Sequence, residues 1–390
     1  MKRSRRHQKG YVFRKGNGWY LRYYDHEFQG DGTSKLVWRC RKLVDFGGEY
    51  RSTKAVRSLA DEFLAPLNNG TITPHSTMKV VQFVDSVYLP FVMGHKRPST
   101  YRGYLNMWKA YLKPRCEIPL RDFRTFEGER ILEAIVRDHD LTCTTVAHIK
   151  AFLSGAFRYA KRQGVLNSEN PLRDVVLPKA RPAGETYAYS LEEIMQMLNI
   201  LPEPAATVVA TAAFTGVREG ELRGLLWEGY DGQQMQITRS IWRGYVQMPK
   251  TKKSAAPVPV IKQLAERLSF HRSLMGSPKS GLIFPNSVGN PICTGKLVRE
   301  VIRPVLTKAG LAWHGWHAFR RGLATNLHRL GVPDKTIQAI LRHSNVAVTQ
   351  ACYIKTVGSD AVEAMRSLEH ATNMQLEQMR ARSGQQGWTN

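Results

Sequence analysis

Apolar periodicity changes along this chain, and the change limits what it can fold into. Between Trp19 and Arg41 the period is two. Trp19, Leu21 and Tyr23 fall on one side and Tyr20, Arg22 and Tyr24 on the other; later, Leu36, Trp38 and Cys40 share one side while Val37, Arg39 and Arg41 share the opposite one. Strict alternation predicts strands. From Ser52 or Thr53 to about Leu67 the spacing becomes helical and stops at Asn68-Asn69-Gly70. Apolar residues then recur at helical spacing over 79–93, 98–113, 127–138 and 142–163. Within these segments Tyr101, Tyr104, Leu105, Trp108 and Leu112 form one stripe, read as core packing.

Residues 179–186, PKARPAGE, have linker composition with basic flanks. Ser190 followed by Glu193 then forms a capping box that opens a further helix. Helices are predicted to Gly216, a strand-rich stretch over 233–260, and helices again from 294 to about 370. The last twenty residues, rich in Gln, Arg, Gly and Ser, read as a tail. The 390 residues, which contain no internal repeat, are too many for one ordinary domain. The expected fold class is therefore α+β and multidomain. A small three-stranded sheet plus helix covers 1–70, and an all-α domain covers 71–178. A mainly α domain with a small antiparallel sheet covers 187–370, and the tail covers 371–390.

A formal charge of +25 points to a polyanionic partner. Its distribution says more. Residues 1–70 carry 15 basic and 7 acidic side chains, residues 71–180 carry 17 and 10, and the remainder carries 25 and 15. The excesses, +8, +7 and +10, are spread along the whole chain, as suits a protein that surrounds a duplex and not one with a single basic tail. The five cysteines are odd in number and scattered, which reads as reduced thiols of an intracellular protein. There is no run of eighteen apolar residues, and no apolar stretch follows the basic start, so no membrane association is expected.

The chemistry-bearing residues concentrate in two places. TGVREGEL contains Arg218 and Glu221, and Trp316 to Lys355 contains His317, Arg320, His343 and a lone Tyr353. A tyrosine hydroxyl ionises near pH ~10 and attacks well only where cations favour the phenolate. Arginine forks match the charged non-bridging oxygens of a phosphoryl transition state, and histidines donate to them or move protons. Taken singly the signals have plainer readings: Arg218 and Glu221 as a helix-surface pair, Tyr353 as a core aromatic, His314 and His317 as solvated residues without metal partners. Together they point to phosphodiester chemistry with a tyrosine nucleophile, and no carboxylate cluster of the kind that two-metal nucleases need accompanies them.

This set resembles the tyrosine recombinase (phage integrase) family. Its T-G-x-R-x-x-E motif corresponds to Thr215, Gly216, Arg218 and Glu221, its H-x-x-R pair to His317 and Arg320, and its L-G-H histidine to His343; Tyr353 falls where the nucleophile belongs. Two departures stand out. Arg342 replaces the motif glycine and adds a basic group beside the pocket, and one extra residue before Tyr353 leaves Cys352 at the expected tyrosine position. Tyr353 is nevertheless the sole tyrosine after Tyr245. The segment MPKTKKSAAPVPV resembles the family's lysine-bearing hairpin, where Lys250, Lys252 and Lys253 compete and Lys250 is preferred.

The resemblance implies a site-specific recombinase that forms a 3′-phosphotyrosine through Tyr353. Arg218, Arg320, His317 and His343 then stabilise the transition state, Lys250 acts as general acid and Glu221 as a supporting residue, with no cofactor or metal. It further implies double-stranded DNA with core-type and arm-type sites as partner, a homotetramer on that DNA, and DNA-bending accessory proteins and an excision factor as further partners open to it. The setting would be the cytoplasm of a bacterial host cell, at the nucleoid, in the service of a phage or mobile element. Residues 1–70 resemble an arm-site-binding domain in which Arg22, Arg39 and Arg41 are DNA-contact candidates; the face bearing Arg39 and Arg41 is the one expected to enter a groove. The helical region resembles a core-binding domain, with Lys96, Arg97, Arg102, Lys150 and Arg162 as phosphate-contact candidates. The alternatives are a type IB topoisomerase-like relaxing enzyme and a catalytically silent DNA-binding regulator.

Overall fold

A computed structural model describes residues 7–28, 33–69, 73–248, 256–343 and 374. The chain divides into two compact units, Met1–Gly184 and Glu185–Asn390, split inside the PKARPAGE segment.

The first unit begins with an antiparallel sheet of β1 (Tyr11–Lys15), β2 (Gly18–Phe28) and β3 (Ser34–Asp45), paired in that order. A helix, Thr53–Asn68, lies on one side, and its N-cap Ser52 accepts a hydrogen bond from the Ala55 N–H at 3.3 Å. Val12, Trp19, Leu21 and Tyr23 from the sheet meet Val56, Ala60 and Leu64 from the helix. Each large apolar side chain so buried contributes roughly 1.5–3 kcal/mol.

The register decides which face is open. Leu21 pairs with Arg41 and Tyr23 with Arg39, so both arginines lie on the helix-covered side. The Arg41 guanidinium sits 4.6 Å over the Phe63 ring of that helix, and Arg39 pairs with Glu27 at 2.9 Å. The open face is the other one, with Arg22 paired to Cys40 and Tyr24 to Trp38. There Tyr11, Tyr24, Leu36 and Trp38 are exposed, and the Tyr24 and Trp38 rings stack at 3.7 Å. The expectation that the Arg39 and Arg41 face enters a groove is corrected accordingly: of the three N-terminal arginine candidates, Arg22 alone stands on the open face.

The remainder of this unit is helical, with a separate core. Val80–Phe83, Val84–Tyr88 and Leu89–His95 form one continuous run through a π turn, as do Pro98–Met107 and Trp108–Leu112. Thr125–Asp138 and Cys143–Arg162 complete the set. Trp108 and Leu112 are fully buried and Tyr101, Tyr104 and Leu105 pack against the same core, as the stripe predicts. The Trp108 indole N–H, which burial would otherwise leave without water, donates to Asp85 Oδ1 at 2.7 Å. One ion pair ties the helical part to the sheet. Arg121, in the Leu120–Asp122 turn, donates from both terminal nitrogens to the Asp25 carboxylate on β2, to Oδ1 at 2.9 Å and to Oδ2 more closely. Beside it opens a cavity of about 540 Å³ whose walls include Tyr23, Arg41, Glu62 and Arg124.

The second unit opens with Leu191–Ile200, and its capping box forms as the sequence predicts: the Glu193 N–H donates to Ser190 Oγ at 3.1 Å and the Ser190 N–H to Glu193 Oε2 at 2.7 Å. The next helix, Ala205–Thr215, is apolar nearly all round and is the buried centre of this unit. Trp316–Arg329 packs across it. The predicted strand-rich stretch is two short antiparallel pairs, Gln234–Met235 with Val258–Pro259 and Ser240–Trp242 with Tyr245–Gln247. A helix at Lys262–Leu274 was not foreseen. Its signal, Leu264, Leu268 and His271 at helical spacing, is short and lies within a strongly polar segment. The helix Asp334–Leu341 ends the described part, and apart from Met374 the tail lies outside the described residues. The α+β multidomain expectation is met: helical modules accompany a three-stranded sheet and small strand pairs.

Candidate active site

The site is built where three chain segments meet around Gly216. The Ala205–Thr215 helix ends because Gly216 adopts φ +60°, a left-handed conformation natural to glycine. A side chain is also excluded here, since a Cβ would lie 2.8 Å from Leu341 Cδ2 and 3.0 Å from Leu323 Cδ2. The tight turn sets Arg218 at the N-cap of the short helix Glu219–Leu222, with its side chain 40% exposed.

Glu221 holds Arg218 from both ends. Its Oε2 accepts the Arg218 backbone N–H at 2.9 Å and its Oε1 accepts Arg218 Nη1 at 2.9 Å. Arg342 Nη2 reaches the same carboxylate, 2.7 Å from Oε2. Burial pushes the Glu221 carboxyl up, but the charge of Arg342, then the Arg218 N–H and guanidinium, outweigh it and hold the group below its ordinary value. Arg342 lines the cavity next to His343, so its charge does stand beside the pocket. Its side chain is fully buried and turned inward onto Glu221.

Arg320 is buried too. Its Nη1 donates to the Gly216 carbonyl at 2.5 Å, its Nη2 to the Leu341 carbonyl, and its Nε to His343 Nε2 at 3.2 Å. One guanidinium thus fastens the Gly216 turn to the end of the Asp334–Leu341 helix. Because His343 Nε2 accepts this bond, the ring's proton belongs on Nδ1. Burial, followed by the charges of Arg320, Arg218, His317 and Arg342, pulls the His343 pKa down to about 4. His317 stands at the solvent edge of the Trp316–Arg329 helix, and its pKa is lowered by desolvation and by Arg320, Arg321 and Arg218. A cavity of about 260 Å³ opens beside His343, between Ala256, Lys335, Gln338 and Arg342.

Arg218, Glu221, His317, Arg320 and His343 are therefore brought together, and the chemistry available is anion binding by an open, fixed arginine beside two histidines held neutral. Lys250, Lys252, Lys253, Cys352 and Tyr353 lie outside the described residues. His314, read as without a role in the site, stacks on Tyr187 at 3.6 Å. Sequence reasoning missed Gly322, where a Cβ would collide with the Tyr189 carbonyl oxygen and which lets the His317-bearing helix approach that backbone. A glycine inside an otherwise regular helix was the available signal.

Among the phosphate-contact candidates of the first unit, Lys96 and Arg102 are exposed and Arg97 is half-buried. Lys150 is committed locally, donating to the Val175 carbonyl at 2.7 Å. Arg162 lies 5.0 Å over the Phe91 ring and 4.9 Å over Tyr159. Among the described residues no His, Cys, Asp or Glu side chains cluster as a metal site, and no helix is long and apolar enough to cross a membrane.

Comparison with known proteins agrees with this geometry. Residues 186–357 match the family model described as the phage integrase family. A tyrosine recombinase XerC-like protein of Caldanaerobacter subterraneus subsp. tengcongensis is 24% identical over 353 residues, covering 82% of this chain and 90% of that protein. Among solved structures, the Tn1549 transposon integrase in complex with transposon right end DNA superimposes with a TM-score of 0.61 at 18% identity, over 75% of this chain and 100% of that one. A lambda integrase tetramer bound to a Holliday junction gives 0.56 at 18% identity, over 90% and 96%. Those two likenesses speak for the fold; the matched domain, residues 186–357, which carries Arg218, His317, Arg320 and His343 in one site, is a phage integrase domain of the tyrosine recombinase kind.

Proposed function

We propose that this protein is the integrase of a phage or mobile element, breaking and rejoining DNA through a 3′-phosphotyrosine on Tyr353. The observation that carries the reading is the grouping of Arg218, Arg320, His317 and His343 around one turn, with Arg218 open to solvent and fixed by Glu221. In this reading Arg218 is the main cation for the scissile phosphate, and Arg320 holds the site's two loops together and orients His343. His343 and His317, neutral at working pH, donate to non-bridging oxygens or move the tyrosine proton. Lys250 protonates the departing 5′ oxygen.

The phosphotyrosine ester conserves the energy of the broken bond, so religation to a new strand needs no nucleotide. The neighbouring structures, an integrase on transposon-end DNA and a tetramer on a Holliday junction, support a tetramer on duplex DNA; the setting proposed for it is a bacterial cell. The spread of positive charge supports contacts by every part of the chain, the N-terminal sheet taking arm-type sites and the helical module core-type sites.

The test is covalent capture. The full-length chain is incubated with duplex DNA from a random-sequence pool, and DNA that survives denaturation on protein is recovered and the linked peptide sequenced. An adduct on Tyr353 that Tyr353→Phe abolishes, with DNA affinity kept, is the expected result. Capture of nothing, or an adduct on Cys352, would overturn the reading.

A further inference from the structure

The residue that departs from the family motif, Arg342, is the one whose placement calls for a reason. It carries two costs. Its backbone is left-handed, φ 57° and ψ 42°, where a side chain is disfavoured and a glycine would be at ease. Its guanidinium is fully buried, and a buried charge must be matched. Glu221 matches it at 2.7 Å, and that carboxylate is also the group that fixes Arg218.

Charge accounting shows what the third member changes. Arg218 and Glu221 alone would be a neutral pair, with the carboxylate cancelling the charge that an incoming phosphodiester must meet. With Arg342 on the same carboxylate the triad keeps a net positive charge. The exposed member of that triad is Arg218; Arg342 is sealed off. Resting on the recombinase reading above, we propose that Arg342 is a positioning residue for Arg218: it compensates Glu221, so that Arg218 is held rigidly while its charge remains available to the scissile phosphate. A residue that only pinned the turn would lack this electrostatic consequence.

The experiment uses the full-length chain and a duplex captured by it as a covalent adduct, nicked beside the mapped scissile phosphate. Single-turnover adduct formation and DNA affinity are measured for the unsubstituted protein, Arg342→Met, Arg342→Gly and Arg342→Lys. Glycine suits the left-handed turn, so Arg342→Gly keeps the test open should Arg342→Met fold poorly. Loss of Arg342 is expected to slow adduct formation roughly tenfold or more while DNA affinity stays within about twofold, with Arg342→Lys recovering most of the rate. A second substrate has a methyl group in place of one non-bridging oxygen at the scissile position, which removes the anionic charge. On it the deficit should shrink to within about threefold, because less charge then needs stabilising. Glu221→Gln in the Arg342→Met background should also restore part of the rate on the ordinary substrate.

Equal losses on both substrates, or no recovery in either Arg342→Lys or the double variant, would make Arg342 a structural pin and overturn the inference. So would an unchanged rate in Arg342→Gly. If the unsubstituted chain forms no adduct, the recombinase reading falls, and this inference with it.

Discussion

Arg320 donates from Nε to Nε2 of His343 at 3.2 Å, joining a residue of the Trp316–Arg329 helix to one just beyond the Asp334–Leu341 helix, 23 positions away. The bond requires a neutral imidazole, and burial together with the surrounding arginines keeps it so, with the His343 pKa near 4 against an ordinary 6.5. An unfolded chain takes up this proton near pH 6.5, while the folded one refuses it until about pH 4. Stability is therefore fully present above pH 6.5 and falls as the pH drops through that window. The shift corresponds to roughly 3 kcal/mol at most. Denaturant unfolding between pH 7 and pH 4 should show this loss, and His343→Gln should flatten it. An equally steep decline in His343→Gln would assign the loss to other groups.

Arg121 and Asp25 give a stability prediction for the first unit. Asp25 is 2% exposed, and Arg121 supplies both of its close cationic contacts. Arg121→Ala leaves a buried carboxylate without its cation, which typically costs about 3–5 kcal/mol. Replacing both residues by leucine should cost much less, since no charge is then stranded. Thermal unfolding compares the two. A single variant as stable as the double one would show that the pair contributes nothing.

Register separates the N-terminal arginines by role. Arg22 lies on the open face of the sheet, its guanidinium 5.3 Å from the Phe13 ring centroid, whereas Arg41 is stacked on Phe63 of the covering helix. If the open face contacts arm-type DNA, Arg22→Ala should weaken binding and reduce the slope of log affinity against log salt by about 0.9 per lost phosphate contact. Arg41→Ala should leave that slope unchanged and lower the melting temperature. The reverse pattern in a salt titration would mean that the helix-covered side reaches the DNA.

Much was legible in the sequence because it is local. Alternation from Trp19 to Tyr24 defines a strand, Ser190 with Glu193 defines a helix start, and the motif order from Thr215 to Tyr353 places the site residues in sequence. Spacing sets these directly, since side chains repeat every two residues in a strand and about every 3.6 in a helix. What spacing cannot give is which partner a face will meet. Leu36 and Trp38 look like core from their chemistry, yet the helix packs on the Leu21 and Tyr23 side and leaves them in solvent. Asp25 finds Arg121 across 96 positions, and Arg342 finds Glu221 across 121. Arg342 reads from the sequence as a basic group beside the pocket; that it is sealed inside, on Glu221, follows from the left-handed turn at the end of Asp334–Leu341. A charge excluded from water must sit on a counter-charge, and only the packed chain brings one to it.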